Sequence, residues 1–350
     1  MFEFTSLKQI HLEITNNCQA SCPMCSRNID SGLDNPLISL TNWSLEDFKH
    51  IINETVLKQI EYYYFCGNYG DPILNNDLID MCEYATLQAP NVGMSIHTNG
   101  GLRNTEWWGR LAKALPVNHR VVFALDGLSD THSLYRVGTD FNKIIANAVA
   151  FMAAGGIANW VFIRFKHNEH QVELARRMAK DLGFNEFILK DSSRFMLEPR
   201  AKVVNRNNIV MHYVEPASDT PMKFIDKKTI DNFESILDNV TIDCMVLKNK
   251  EIYIDAHKHL YPCCHTGLAP YNQLGATEIA SRIVEQHNDM ITSLGDMNVM
   301  NSSVKQIIDS EPYQNVWNDY WTTKKLIICA RTCGVSKDIE FSRPRDQWKK

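Results

Sequence analysis

The chain has 350 residues, of which 44% are hydrophobic and 22% charged, a composition typical of a globular protein able to bury a core. Its formal net charge of −5 provides no overall positive field, which disfavours nucleic acid as a partner. No run of apolar residues approaches the length of a membrane span, and the N-terminus "MFEFTSLKQIHLEIT" lacks a signal-peptide pattern. We therefore expect a cytoplasmic protein with no membrane partner.

Short β-rich runs alternate with helical stretches over the first 200 residues or so. Strands are predicted at 8–15, 61–67, 93–100, 120–127, 159–165 and 186–191. Amphipathic helices are predicted at 141–154 and 170–182. Strands joined by helices imply a parallel sheet whose functional loops follow the carboxyl ends of the strands. Six units are too few for the eight-fold barrel, so we predict an α/β fold with a partial (βα)6 TIM-like barrel.

The alternation stops beyond this region, and residues 201–220 are predicted to be an irregular connector. Further on, "EIYIDAHKHLYPCC" predicts a hairpin with its turn at Ala256 to His259. The run "SSVKQIIDSEPYQNVWNDYW" predicts one helix capped by Ser302 or Ser303. We expect two domains, a barrel over 1–225 and a small α+β domain over 226–350.

The ten cysteines are clustered along the sequence. In a reducing compartment, clustered cysteines bind metal or perform chemistry more often than they form disulfides. Cys18, Cys22 and Cys25 follow the first predicted strand with the spacing C-x3-C-x2-C. Three thiolates cannot close a structural zinc site, which requires four ligands. Three can hold a four-iron cluster in which one iron remains able to bind a small molecule.

This spacing after the first strand of a βα series resembles the radical S-adenosylmethionine (SAM) superfamily. The resemblance implies that Cys18, Cys22 and Cys25 hold a 4Fe-4S cluster whose fourth iron binds SAM. It further implies reductive cleavage of SAM to methionine and a 5′-deoxyadenosyl radical. Cofactors of this kind carry the difficult chemistry, while the protein supplies orientation and excludes water.

Later segments resemble the superfamily in the same order along the chain. They are "FCGNYGDPILNNDLIDM", "SIHTNGGL", "FALDGLSDTHSLYRVGTDF" and "FKHNEHQVELARRMAKDLGF". Asp71 stands where Glu is commoner, and Ala124 replaces the usual Ser. The resemblance implies SAM contacts at Gly67, Tyr69, Gly70, Asp71, Pro72, Thr98, Asn99, Asp126 and Asn168. No catalytic acid or base is predicted.

The C-terminal cysteines supply enough thiolates for a second closed site. They resemble the SPASM/twitch auxiliary-cluster domain, and the resemblance implies the shorter twitch form with one further 4Fe-4S cluster. The implied ligands are Cys244, Cys263, Cys329 and Cys333. Cys263 is preferred to Cys264 because it directly follows Pro262, which fixes the backbone before it. Structural zinc has the same ligand count and is the alternative.

The resemblance implies an enzyme that abstracts a hydrogen atom from a peptide or small-molecule substrate. The auxiliary cluster would assist a net oxidation, and flavodoxin or ferredoxin would donate electrons. Two other classes stay open: an iron-sulfur electron carrier or scaffold without SAM chemistry, and a zinc-binding interaction module. A radical SAM enzyme that modifies RNA is disfavoured by the acidic balance of the chain.

Overall fold

The computed structural model describes residues 1–192, 194–195, 199–220, 237–267 and 278–335. The chain divides into two compact units. The first, here the core unit, comprises residues 13–57 and 62–224 so far as they are described. The second, here the terminal unit, comprises residues 1–12, 58–61 and the described part of 225–350.

The described residues form strands and helices in the following chain order. The strands are β1 Gln9–Leu12, β2 Asn28–Ile29, β3 Leu33–Asp34, β4 Tyr62–Phe65, β5 Gly93–Thr98, β6 His119–Ala124, β7 Ala158–Arg164, β8 Glu186–Asp191, β9 Ala201–Val204, β10 Val210–Val214, β11 Thr241–Ile242, β12 Glu251–Ile254, β13 Leu260–Tyr261 and β14 Gly334–Val335. The helices are α1 Leu45–Ile51, α2 Glu54–Gln59, α3 Leu78–Gln88, α4 Thr105–Ala114, α5 His132–Tyr135, α6 Phe141–Ala153, α7 Val172–Leu182, α8 Met245–Asn249, α9 Cys264–Gly267, α10 Glu278–Leu294, α11 Val304–Ile308, α12 Glu311–Thr322 and α13 Ile327–Cys333.

The core unit is built on a parallel sheet in which β4, β5, β6, β7 and β8 are neighbours in sequence order. Helices α3, α4, α6 and α7 lie between these strands in the chain. Phe65, Ile96, Phe123 and Phe162 on the strands are buried, as expected for a parallel sheet covered on both faces. This arrangement confirms the predicted βα alternation and brings the loops after the strands to one edge of the sheet.

The prediction of an irregular connector at 201–220 was wrong, because β9 and β10 form an antiparallel hairpin there. Its turn is stabilised by the Asn205 side chain, which accepts hydrogen bonds from the backbone N–H groups of Asn207 and Ile209. Val203 and Val214 pack into an apolar cluster with Tyr135, Phe165 and Phe195. Strand β10 shows no alternating pattern of burial, because Val210, Met211 and Tyr213 are exposed and only Val214 is buried.

In the terminal unit β1 runs parallel to β12, and β12 pairs antiparallel with β13. The predicted hairpin is therefore confirmed, and its turn is held by a hydrogen bond from the His259 N–H to Asp255 Oδ1 at 2.8 Å. The single helix predicted after residue 302 is two helices, α11 and α12. Ser303 caps the first and Ser310 the second, with Pro312 in the opening turn of α12.

Over the described ranges, no helix combines the length and the apolar character that crossing a membrane requires.

The hairpin packing predicts that Val214→Ala lowers the free energy of unfolding by about 2 kcal/mol, since it deletes two methyl groups from a filled cluster. Val214 is 0% exposed, whereas Met211 on the same strand is 63% exposed. Met211→Ala is the control and should change stability by less than about 0.5 kcal/mol. Urea denaturation of both variants measures the difference, and equal effects would contradict this description of the hairpin.

Candidate functional site

The loop after β1 carries Cys18, Cys22 and Cys25 in the core unit, and none of the three is in a disulfide. The thiols lie within electrostatic reach of one another. Burial raises the pKa of Cys22 to about 11, and the Arg136 guanidinium opposes the rise. Burial also raises the pKa of Cys18 well above its ordinary value. Buried thiols of this kind stay protonated until a cation binds and displaces the protons.

Backbone contacts shape this cysteine loop. The N–H of Cys25 donates to the carbonyl of Cys22 at 3.1 Å, and the Asn28 side-chain amide donates to the same carbonyl at 2.9 Å. The N–H of Ser21 donates to the carbonyl of Val137 at 2.8 Å. The segment after α5 therefore supports the loop from the side.

A buried carboxylate, Asp71, joins the cysteine loop to two others. Its N–H donates to the carbonyl of Asn17 at 2.8 Å. Its Oδ1 accepts from the Thr98 hydroxyl and its Oδ2 from the Asn99 N–H, both at 2.7 Å. Burial raises the pKa of the Asp71 carboxyl, and these hydrogen bonds oppose the rise. The next residue, Pro72, begins a 3-10 turn.

Asn99 extends this connection to a predicted cluster ligand. Its Nδ2 donates to Cys18 Sγ at 3.8 Å, and its Oδ1 accepts from Gln19 Nε2 at 2.6 Å. The N–H of Gly101 also donates to Oδ1 at 2.9 Å. The Asn99 side chain is thus held through its oxygen, and its amide donates to the Cys18 thiol.

The glycine turn after β4, residues 67–70, lies against the segment that leads into the cysteine loop. The Glu13 carboxylate accepts from the N–H groups of Tyr69 and Gly70 at 2.7 and 3.0 Å. A Cβ on Gly70 would lie 1.9 Å from the Thr15 carbonyl oxygen, and a Cβ on Gly67 would lie 2.0 Å from that of Gly70. Only glycine permits these approaches, because any side chain would collide with backbone.

Asp126 and Asn168 are brought to one place by β7. Asp126 Oδ2 is paired with Arg136 Nε at 2.5 Å, and its Oδ1 accepts from the N–H of Ile163 at 2.6 Å. The Asn168 amide donates to the carbonyl of the same Ile163 at 3.0 Å. Both side chains are buried and both brace the end of β7. Arg136 in turn interacts with the Cys22 thiol, so this group is linked to the cysteine loop.

The sequence analysis did not single out Glu13, Gln19, Arg136 or Lys190. Arg136 matters most for the site, because it places a positive charge beside Cys22. Lys190, near the end of β8, is electrostatically coupled to Cys66 and Asp126, and burial lowers the pKa of its ammonium group. Glu13 and Lys190 lie in predicted strands, Gln19 lies within the cysteine motif, and Arg136 lies in the segment "FALDGLSDTHSLYRVGTDF" that resembles the superfamily.

The terminal unit brings Cys244, Cys263, Cys329 and Cys333 together. Cys263 is electrostatically coupled to each of the other three. A hydrogen bond with Cys333 and burial raise the pKa of Cys244, and burial raises that of Cys263 to about 11. The Thr266 hydroxyl lies 3.8 Å from Cys263 Sγ. Among the described residues, no three His, Cys, Asp or Glu side chains are arranged around a position for a single metal ion.

The four thiols come from three places in the terminal unit, with Cys244 before α8, Cys263 after β13 and the last two on α13. Cys264, the alternative to Cys263, begins helix α9. Thiolates are the ligands of both zinc and iron-sulfur clusters, and the donor set is compatible with either.

The sequence model of the radical SAM superfamily matches residues 12–185, which include the cysteine loop and the loops that carry Asp71, Asn99, Asp126 and Asn168. The chain belongs to the radical SAM superfamily. Members of this superfamily are enzymes that use a 4Fe-4S cluster and SAM, so the predicted class of protein and its first two cofactors are confirmed.

Solved structures resemble the chain over most of its length. SuiB of Streptococcus suis matches with a TM-score of 0.57 at 14% identity, covering 89% of this chain and 68% of SuiB. SuiB bound to its precursor peptide SuiA matches with a TM-score of 0.55 at 12% identity, covering 89% and 67%. The SAM-bound structure of anSMEcpe matches with a TM-score of 0.52 at 14% identity, covering 88% and 79%.

These likenesses confirm the predicted partial-barrel fold class. No protein with curated function matches the chain.

The Asp71 connection predicts that Asp71→Asn lowers the free energy of unfolding by about 1–3 kcal/mol, because an amide nitrogen would face donors that now have an acceptor. Asp80→Asn, at an exposed position of α3, is the control and should have little effect. Chemical denaturation of the two variants measures the contrast. If Asp71→Asn were as stable as the control, the carboxylate would not be stabilising the turn after β4 against the end of β5.

Proposed function

We propose that Cys18, Cys22 and Cys25 are the protein ligands of the 4Fe-4S cluster that this superfamily uses. The observation that carries the proposal is the grouping of three thiols in one loop within electrostatic reach of one another. Soft thiolates suit iron-sulfur clusters, and three of them leave one iron without a protein ligand. The Arg136 guanidinium beside Cys22 would stabilise the thiolate form of that ligand.

We further propose that SAM binds on the loops after β4 to β7. When bound, the cluster and SAM supply the 5′-deoxyadenosyl radical that abstracts hydrogen from a substrate. The protein holds the loops in place through Asp71, and the two glycines keep side chains out of the turn after β4. The proposed SAM-binding residues are Gly67, Tyr69, Gly70, Asp71, Pro72, Thr98, Asn99, Asp126 and Asn168.

The hydrogen bonds indicate different roles for the proposed SAM-binding residues. The carboxylates of Asp71 and Asp126 and the amide of Asn168 are engaged by protein donors and acceptors. Their contribution to SAM binding is therefore to position the backbone around them. The amide of Asn99 reaches Cys18 and would orient that ligand.

We propose a peptide or small molecule as the substrate, consumed in a net oxidation. Support for a peptide comes from SuiB, whose structure was determined with a precursor peptide bound. A one-electron donor such as flavodoxin or ferredoxin would reduce the cluster, and a cytoplasmic location suits such a partner. Membership of the superfamily favours this function over an iron-sulfur carrier without SAM chemistry.

We propose that Cys244, Cys263, Cys329 and Cys333 hold a second, auxiliary 4Fe-4S cluster. Support comes from the mutual coupling of their thiols and from the resemblance of this part of the sequence to the twitch form of the auxiliary domain. Four thiolates close the site, so this cluster would exchange electrons rather than bind SAM. Zinc is the competing occupant of the same ligands.

Replacement of Cys18, Cys22 and Cys25 together with Ala should abolish formation of 5′-deoxyadenosine from SAM and remove about four irons per chain. The matched control is Cys82→Ala, which removes a buried thiol that packs against Met94 in the core unit. The measurements are iron content after anaerobic reconstitution and chromatography of SAM products. Persistence of 5′-deoxyadenosine in the triple variant would refute the assignment of these ligands.

Replacement of Cys329 and Cys333 with Ala should remove about four irons and leave SAM cleavage by the first cluster intact. Metal analysis and paramagnetic resonance of the reduced protein, before and after SAM is added, measure both effects. Loss of zinc instead of iron would identify the site as structural zinc. An unchanged metal content would show that these cysteines hold no metal.

A further inference from the structure

Helix α12 places three large aromatic side chains in the interior of the terminal unit. Tyr313, Trp317 and Trp321 recur at a spacing of four residues and therefore share one face of the helix. They are 0%, 0% and 8% exposed. Their rings form a continuous row, with centroids 6.3 Å apart for the first pair and 5.8 Å for the second.

The polar atoms of this aromatic row have no acceptor among the residues that the structure describes. Within the described part of the chain, neither the Tyr313 hydroxyl nor the indole N–H groups of Trp317 and Trp321 have a hydrogen-bond partner. Buried donors are almost always satisfied, because burying one without an acceptor forfeits its hydrogen bonds to water. Three such donors on one helix face indicate an acceptor outside the described residues.

Two of the three side chains lie near C-terminal cysteines. Tyr313 is electrostatically coupled to Cys263 and Cys244. The Trp321 indole lies beside the Cys329 thiol. The indole does not reach full hydrogen-bond geometry with the sulfur, so its donor is still unsatisfied. Together the two side chains lie near three of the four cysteines.

We propose that the Tyr313 hydroxyl and the Trp321 indole N–H donate hydrogen bonds to the sulfur atoms of the auxiliary cluster and make that cluster easier to reduce. This inference rests on the auxiliary cluster proposed above. An iron-sulfur cluster offers many sulfur acceptors, and its charge becomes more negative when it gains an electron. Donors aimed at those sulfurs therefore stabilise the reduced state more than the oxidised state.

The direction of this effect suits the proposed oxidation. A cluster that takes an electron from a substrate radical must be easily reduced. Burial makes reduction harder, because a low-dielectric site disfavours added charge. Two fixed donors on α12 would offset part of this penalty. A zinc ion, by contrast, has no redox change for the donors to influence.

The test uses the full-length chain in which Cys18, Cys22 and Cys25 are replaced by Ala, so that only the auxiliary cluster gives a paramagnetic signal. Tyr313→Phe and Trp321→Phe are introduced separately in this background. The control is Tyr320→Phe, a buried tyrosine of the same helix whose hydroxyl interacts with Lys324. Iron content and the midpoint potential from a redox titration are measured for each protein.

Each of the two test variants should retain about four irons and show a lower midpoint potential than the background, while the control stays unchanged. The expected shift is about tenfold in the ratio of reduced to oxidised cluster at a fixed potential, or ~59 mV for one electron. The double variant should shift further than either single variant.

The outcomes distinguish failure of the tuning role from failure of the proposed auxiliary cluster. Four irons with unchanged potentials would overturn the tuning role and leave the auxiliary cluster in place. A background protein that binds zinc or no metal would overturn both. Loss of iron from both variants, at an unchanged helical content by circular dichroism, would show that the donors retain the cluster and would also overturn tuning.

Discussion

The core unit depends on one buried carboxylate. Asp71 directly follows the glycine turn after β4. Its carboxylate accepts hydrogen bonds from the end of β5, and its backbone N–H donates to the cysteine loop. A carboxylate accepts several hydrogen bonds at once, and a charged acceptor makes stronger bonds than a neutral one. These contacts offset the cost of burying the side chain, and the loop positions follow from them. Asn99 reaches Cys18 because Asp71 holds the Asn99 backbone.

Both groups of cysteines share a physical problem. Burial raises the pKa of Cys22 and of Cys263, so these thiols stay protonated until a cation binds and displaces the protons. Each unit places hydrogen-bond donors near the cysteine sulfur atoms. The core unit uses the Arg136 guanidinium and the Asn99 amide, while the terminal unit uses the Tyr313 hydroxyl and the Trp321 indole. A charged donor and neutral donors would give the two clusters different electrostatic surroundings.

Two predictions about secondary structure failed for local reasons. The β9–β10 hairpin was not predicted because its two strands are short and Val203 and Val214 gain their packing partners only in the fold. The helix predicted after residue 302 divides because the Ser310 side chain caps a new helix and Pro312 occupies its first turn. The capping residues were visible in the sequence, but the periodic apolar pattern continued across them.

The sequence by itself determined the superfamily, the alternation of strands and helices, and the cysteines and glycines at the ends of the strands. These features depend on residue type and local spacing: thiols at C-x3-C-x2-C, or glycine where backbone approaches backbone. Only the tertiary structure decided which side chains brace the site. Glu13, Arg136, Tyr313 and Trp321 lie outside the cysteine and glycine motifs. Their contacts join residues far apart in the chain, and the distances between such residues are set by packing rather than by sequence spacing.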